Sequence, residues 1–213
     1  MLELVIAGGW VMLPILLFAV AAIGIGVERA WTLRRREVLP AGLGEEVRQW
    51  ARSRQLDPKH IEALRLNSPL GALLAAALDV RHRSRELVKE RVEDVGRHVL
   101  HELERFLPTL GTIAAVAPLL GLLGTVFGMI EMFLGILEAG VGDANRLAGG
   151  IGQALISTAA GLIVAIPALM AHRWFRARVA GYVIEMEKEA IALIDAIDEQ
   201  AVVARTKTKG TAA

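Results

Sequence analysis

No cysteine occurs among the 213 residues, which removes disulfides, thiolate chemistry and cysteine-ligated zinc. Aromatic residues are scarce at 5%, and 24 Lys+Arg against 23 Asp+Glu leave a formal charge of only +1. Without a basic excess, a nucleic-acid binder is disfavoured. What the chain does have is apolar content: 54% hydrophobic residues and a mean hydropathy of +0.46. A soluble domain is about 45–50% apolar even with glycine counted, and disorder goes with low hydrophobicity. Neither class fits, so the placement of apolar and charged residues decides.

They are segregated. Residues 8–27 (GGWVMLPILLFAVAAIGIGV) carry no charge, and Glu28 and Arg29 close the run. Twenty helical residues cover about 30 Å, the thickness of a hydrocarbon core. A second run, 107–137, has Glu131 as its one charge, and a third, 147–171, has none. As core helices of a soluble protein these would have to be apolar all round, without charged outer faces. The first run also lacks a signal-peptide pattern: Glu3 stands where a basic region belongs, and Arg34, Arg35 and Arg36 form a stop-transfer block. A retained transmembrane helix is expected.

Lys/Arg placement sets the orientation. Arg34 to Arg36 follow the first span; Lys89, Arg91, Arg97 and Arg105 precede the second; Arg173, Arg176 and Arg178 follow the third. The segment joining spans two and three has only Arg146. By the positive-inside rule, 34–106 and the tail are cytoplasmic, and the N-terminus and the 138–146 loop lie outside. The expected fold is an all-α integral membrane protein, with three transmembrane helices extended into a cytoplasmic helical bundle. Its parts are an outer N-terminus and first helix (1–33), a cytoplasmic helical domain (34–106), membrane helices two and three (107–172), and a cytoplasmic C-terminal helix and tail (173–213).

Asp57-Pro58 and Ser68-Pro69 each read as an N-cap followed by proline at the first helical position. Short helices are expected near 43–55, 58–66 and 69–82, then a long one from about 84. Along it Val88, Val92, Val95, Val99, Leu103 and Phe106 recur at heptad-like spacing. Val179, Val183, Met186, Ala190, Leu193 and Ile197 repeat the pattern in the tail. Both helices are expected to continue membrane spans, their seams paired within one chain or shared between subunits. Residues after Ala204 are expected to fray.

Spans two and three are rich in small and hydroxylic residues. At about 100° per residue, Pro118, Gly121, Thr125, Gly128 and Met132 share one stripe, and Ala154, Thr158, Gly161, Ala165 and Ala168 another. Gly124 and Gly128 form a small-xxx-small pair of the kind that lets helices approach closely in lipid. Pro118 and Pro167 free upstream carbonyls, and Thr125 and Thr158 lie partway across the membrane. The threonines suit either a narrow polar path or simple bonding to their own helices. Titrating groups are few. Glu131 lies about 9 Å beyond Thr125 toward the outside, equally suited to function and to snorkelling. Gln153 cannot titrate, and His172 sits at the cytoplasmic end. No proton carrier stands at mid-membrane, so any proton flow requires a partner to supply one.

APLLGLLGTVFGMIEMF (117–133), followed by GGIGQALISTAAGLIVAIPALMAHRWF (149–175), resembles the TolQ/ExbB/MotA proton-channel family, and most of all its ExbB branch. The order APxxGLxGTV then GIxxALxxTAxGLxxAIPA is specific. The resemblance implies a homopentamer in the bacterial inner membrane, N-terminus periplasmic and C-terminus cytoplasmic, surrounding single-span partners of the ExbD or TolR type. The partner would carry the proton-binding aspartate. Work would pass through a TonB-type protein to outer-membrane receptors, or in the TolQ alternative to the Tol–Pal system. Thr125 and Thr158 match the family's pore-lining threonines, and Pro118 and Pro167 its kink-forming prolines. One position departs: many members have Glu in GIAEAL where this chain has Gln153. Gln153 and Glu131 are therefore pore-polar candidates, with Gly121, Gly124, Gly128 and Gly161 as packing residues.

A non-conducting membrane scaffold is the alternative of a different class. An enzyme is not expected, nor a cofactor, a metal or a nucleic-acid partner. His98, His101 and Glu102 have metal-like spacing but read as a solvated helix face, and no phosphate-binding glycine loop is present.

Overall fold

The structure, a computed structural model, describes residues 7–53, 57–139 and 144–210. Its regular elements are helices: α1 (Met12–Thr32), α2 (Arg35–Val38), α3 (Leu43–Ser53), α4 (Pro58–Asn67), α5 (Pro69–Asp79), α6 (Arg85–Leu103), α7 (Leu107–Ala139) and α8 (Ala144–Gly210). They divide into two compact units. One comprises Met1–Ala30 with Phe106–Phe175, the other Trp31–Arg105 with Arg176–Ala213. Of the loop expected at 138–146, residues 140–143 lie outside the described residues.

The first unit contains membrane-length apolar stretches of α1, α7 and α8. On α1, Leu13, Leu17, Val20, Ile23 and Val27 are 66–69% exposed. A stripe of that kind is a liability in water and an asset against acyl chains. The unit's own core is small. Val11, Met12 and Ile15 are buried against Leu120 and Phe127 of α7 and Ala160 and Val164 of α8. Trp10 meets Phe127 edge-on, with ring centroids 5.2 Å apart.

Three boundaries differ from those expected. α1 begins at Met12 rather than at residue 8, because Gly9 adopts φ +73 and the chain turns there, with the Met12 amide donating to the Gly9 carbonyl at 3.1 Å. Hydropathy does not register backbone handedness. The helix from 84 does not run into the second span: it stops at Leu103, and Phe106 sits at φ +63 before α7 starts. Pro108 gives the reason, since its missing amide and its ring forbid a helical bond to residue 104. At the second position of α7 that amide would have no helical partner anyway. The tail, expected to fray after Ala204, is helical to Gly210.

Arg29 does more than close a span. It is only 3% exposed, Glu28 holds it through two bonds of 2.5 Å, and its guanidinium lies 5.6 Å from the Phe106 ring centroid. Pairing and the aromatic face offset the cost of burying the charge.

The second unit is built around α5, whose sequence PLGALLAAALD is apolar on every side. Eight of its eleven residues are buried, and it packs on α4 and α6, with smaller contacts to α3 and α2. At about 16 Å it is too short to span a bilayer, so its apolar surface makes a core instead. Asp57 caps α4 through the Lys59 amide, and Ser68 caps α5 through the Gly71 amide at 3.0 Å. The two seams face each other within one chain. Val88, Val92, Val99 and Leu103 of α6 are buried, as are Val179, Met186, Ala190 and Leu193 of α8. Residues of both line a shared cavity of about 300 Å³. Arg85 of α6 ties Asp195 at 2.6 Å and Asp198 at 3.1 Å on α8. The Leu33 carbonyl, just past α1, receives the Tyr182 hydroxyl at 2.8 Å and Arg178 Nε at 3.0 Å.

Arg48 of α3 bridges Glu45 at 2.8 Å and Glu189 of α8 at 2.5 Å. Its hydrogen bond, then its charge, holds the Glu45 carboxyl below the usual carboxylate range. A depressed carboxylate stabilises the fold above its unfolded-state pKa and stops doing so as pH falls through the folded value. Arg48→Ala is therefore expected to lower the melting temperature at neutral pH. The gap in melting temperature between variant and wild type, read on the full chain in detergent, is expected to narrow on acidification.

Candidate functional site

The site is the seam between α7 and α8 in the first unit. Small residues there bring backbone against backbone. A Cβ on Gly121 would fall 2.9 Å from the Ser157 carbonyl, one on Gly128 2.7 Å from the Gly150 carbonyl, and one on Gly161 2.6 Å from the Ala117 carbonyl. A Cβ on Gly124 would overlap the Ser157 side chain. Lipid supplies no hydrophobic drive for helix association, so this close contact is what holds the pair.

Two hydroxyls are set into the seam from α8. Thr158 Oγ1 donates to the Gly121 carbonyl at 3.2 Å, and it is half-buried. Ser157 is fully buried and bonds the Ala154 carbonyl at 2.9 Å and the Gly121 carbonyl at 3.4 Å. The Gly121 carbonyl is thus an acceptor shared by two hydroxyls. Ser157 was not singled out from the sequence. Its signal was its offset of four residues from Gln153 and its place beside Thr158, which puts it on the inward edge of the same stripe. Thr125 is elsewhere: its hydroxyl turns onto its own helix, at 2.6 Å from the Leu122 carbonyl. Pro118 and Pro167 both lie inside unbroken helices, the first half-buried and the second exposed.

Gln153 and Glu131 meet at one place. Both line a cleft of about 690 Å³, together with Ala7, Met132 and Gly150. Gln153 also packs on the turn before α1, where a Cβ on Gly9 would fall 2.5 Å from its Nε2. The sequence named both as pore-polar candidates, and packing brings them to one cleft from positions far apart in the chain. His172, expected at the membrane edge, bonds the Leu107 carbonyl through Nδ1 at 2.9 Å and covers Gly111. To donate to a carbonyl, that nitrogen must carry the proton. His98, His101 and Glu102 are exposed on α6, and among the described residues no three acidic or histidine side chains converge as metal ligands.

Chemically, the seam offers hydroxyls and a shared carbonyl, with no acid or base among them. It can hydrate and pass on a proton held by another group, and it has no nucleophile–base pair.

A family model described as the MotA/TolQ/ExbB proton channel family matches residues 65–188, which include the whole seam. The chain is similar to ExbB-like biopolymer transport protein 1 of Synechocystis sp., at 37% identity over 185 residues, covering 81% of this chain and 69% of the relative. ExbB-like protein 3 of the same organism is 32% identical over 174 residues, covering 80% and 82%. A Tol-Pal system protein TolQ of Haemophilus influenzae is 42% identical over 80 residues, covering 38% and 35%. This bacterial integral membrane protein, with its three apolar helices and glycine-lined seam, therefore belongs to the MotA/TolQ/ExbB proton channel family, a channel rather than an enzyme family, and within it is most like ExbB.

Proposed function

We propose that the chain is the ExbB-like subunit of a proton-driven complex in the bacterial inner membrane. The first unit is its membrane part and the second its cytoplasmic part, with the N-terminus periplasmic and the C-terminus cytoplasmic. Five copies surround single-span partners of the ExbD or TolR type, and a TonB-type protein carries the work to outer-membrane receptors. The observation behind this reading is the Thr158–Gly121 contact, a polar point in the seam whose own bonding groups, the Thr158 and Ser157 hydroxyls and the Gly121 carbonyl, carry no titratable proton near neutral pH. A partner aspartate facing Thr158 completes the path. Thr125 then lines it by releasing its bond to Leu122, and Pro118 and Pro167 shape the helices beside it.

The likeness to ExbB-type relatives over about four-fifths of the chain favours this over TolQ, whose match covers a shorter stretch. Deletion of the gene in its native host is expected to impair growth on iron–siderophore complexes, with plasmid-borne wild type restoring it. Detergent sensitivity with intact siderophore uptake would instead assign the TolQ role. A scaffold role would follow if no gradient-driven function depended on the partner's aspartate.

A further inference from the structure

Glu131, one of the two carboxylates in the sequence of α7, stands in a cleft. Glu131 is exposed and lines the 690 Å³ cleft of the first unit, whose walls include Ala7, Leu134, Gly150, Gln153 and Ile156. Among the described lining residues it is the only titratable group, and Gln153 is the only other polar side chain. No described residue forms an ion pair with it. Four glycines (Gly135, Gly149, Gly150 and Gly152) leave backbone rather than side chains on the walls. Gln153 stands one helical turn, about 6 Å, before Ser157, so the cleft abuts the outer end of the Ser157–Thr158 polar step.

We infer that Glu131 is the cation-attracting residue of an outer vestibule, raising the local hydronium concentration at the mouth of the path that Thr158 lines. This rests on the channel reading given above. A fixed negative charge in a cleft with largely apolar walls focuses its field inward, because those walls screen it less than bulk water. Acidic residues at the mouths of cation pathways act this way, and a homo-oligomer repeats the charge once per subunit. An interfacial carboxylate reaching only for water needs no cleft and no polar neighbour. Gln153, also on the cleft wall, supplies hydrogen-bonding capacity without adding a charge.

The test uses spheroplasts expressing the full chain with its single-span partner. External pH is stepped, and cytoplasmic acidification is followed with a ratiometric fluorescent protein. Glu131→Gln is expected to raise the external proton concentration for half-maximal influx about five- to ten-fold, leaving the maximal rate within about two-fold. Glu131→Asp is expected to stay near wild type. In wild type, raising salt from about 0.05 M to about 0.5 M is expected to shift half-saturation in the same direction, with Glu131→Gln unresponsive, because screening acts on the charge. An assembled Glu131→Gln complex with unchanged half-saturation at low salt overturns the inference. If that variant fails to assemble, absence of a salt shift in wild type overturns it instead. Thr158→Val is the separating control. Full influx in that variant sinks the channel reading, whereas loss of influx there with normal Glu131→Gln sinks only the vestibule.

Discussion

Thr158→Val is expected to lower partner-dependent, gradient-driven activity about 100-fold or more while the complex still assembles. Valine nearly reproduces the shape of threonine and removes only Oγ1, the group 3.2 Å from the Gly121 carbonyl. The structural loss is small. Hydroxyl bonds between membrane helices contribute about 0.6 kcal/mol on average, and Ser157 remains 3.4 Å from the same carbonyl. A residue whose role is packing would therefore leave activity within a few-fold of wild type. One that hydrates a proton on a partner carboxylate has no substitute in valine. The measurement pairs siderophore-dependent growth or proton influx with native mass of the purified complex. Wild-type activity in an assembled Thr158→Val complex would remove this hydroxyl from the path.

Gly161→Val should produce the largest loss of stability. Its first added atom would stand 2.6 Å from the Ala117 carbonyl and 3.1 Å from Gly121 Cα, both backbone of α7, which no rotamer change can clear. Overpacking of this kind costs about 1–3 kcal/mol, a large share of a total stability of about 5–15 kcal/mol. Even Gly161→Ala, which gains about 1 kcal/mol of helix propensity, is expected to melt below wild type. Gly26→Ala is the control, since nothing lies within 4 Å of its Cβ position, and it should melt at or slightly above wild type. The comparison is thermal unfolding of the full chain in detergent. A Gly161→Val protein that melts with wild type would show that the seam can open at little cost.

Elements carried by composition were legible in the sequence. The apolar runs located three membrane-length helices, and Asp57-Pro58 and Ser68-Pro69 placed two helix starts that the side-chain caps now explain. Such signals are local, since a cap or a span is decided within a few neighbouring positions. Breaks were harder. Gly9 at positive φ and the helix end ahead of Pro108 are backbone events inside stretches whose hydropathy or heptad spacing continues smoothly. Pro108 was visible in the chain, but a proline near a helix start and one that ends a preceding helix look alike until the flanking turn is seen. The same limit applied to α5, whose apolar residues read as one more short helix and proved to be the centre of the second unit.

For the candidate site, the stripes of small and hydroxylic residues followed from helical periodicity, but their partners did not. Periodicity puts Gly121 and Thr158 on faces of their own helices; only tertiary packing sets the hydroxyl of one against the carbonyl of the other. Thr125 has the same chemistry as Thr158 and a different neighbour, its own Leu122 carbonyl. Ser157 became part of the seam because Gly124 leaves room for it. By itself, then, the sequence determined a three-span helical membrane chain whose seam lacks a mid-membrane acid, since hydropathy, charge placement and helical repeat are properties of segments. Which hydroxyl is shared, which arginine is buried, and that Glu131 and Gln153 line one cleft were decided by the tertiary structure. Those facts depend on distances between residues far apart in the chain, which close packing of glycine backbones sets and no local pattern records.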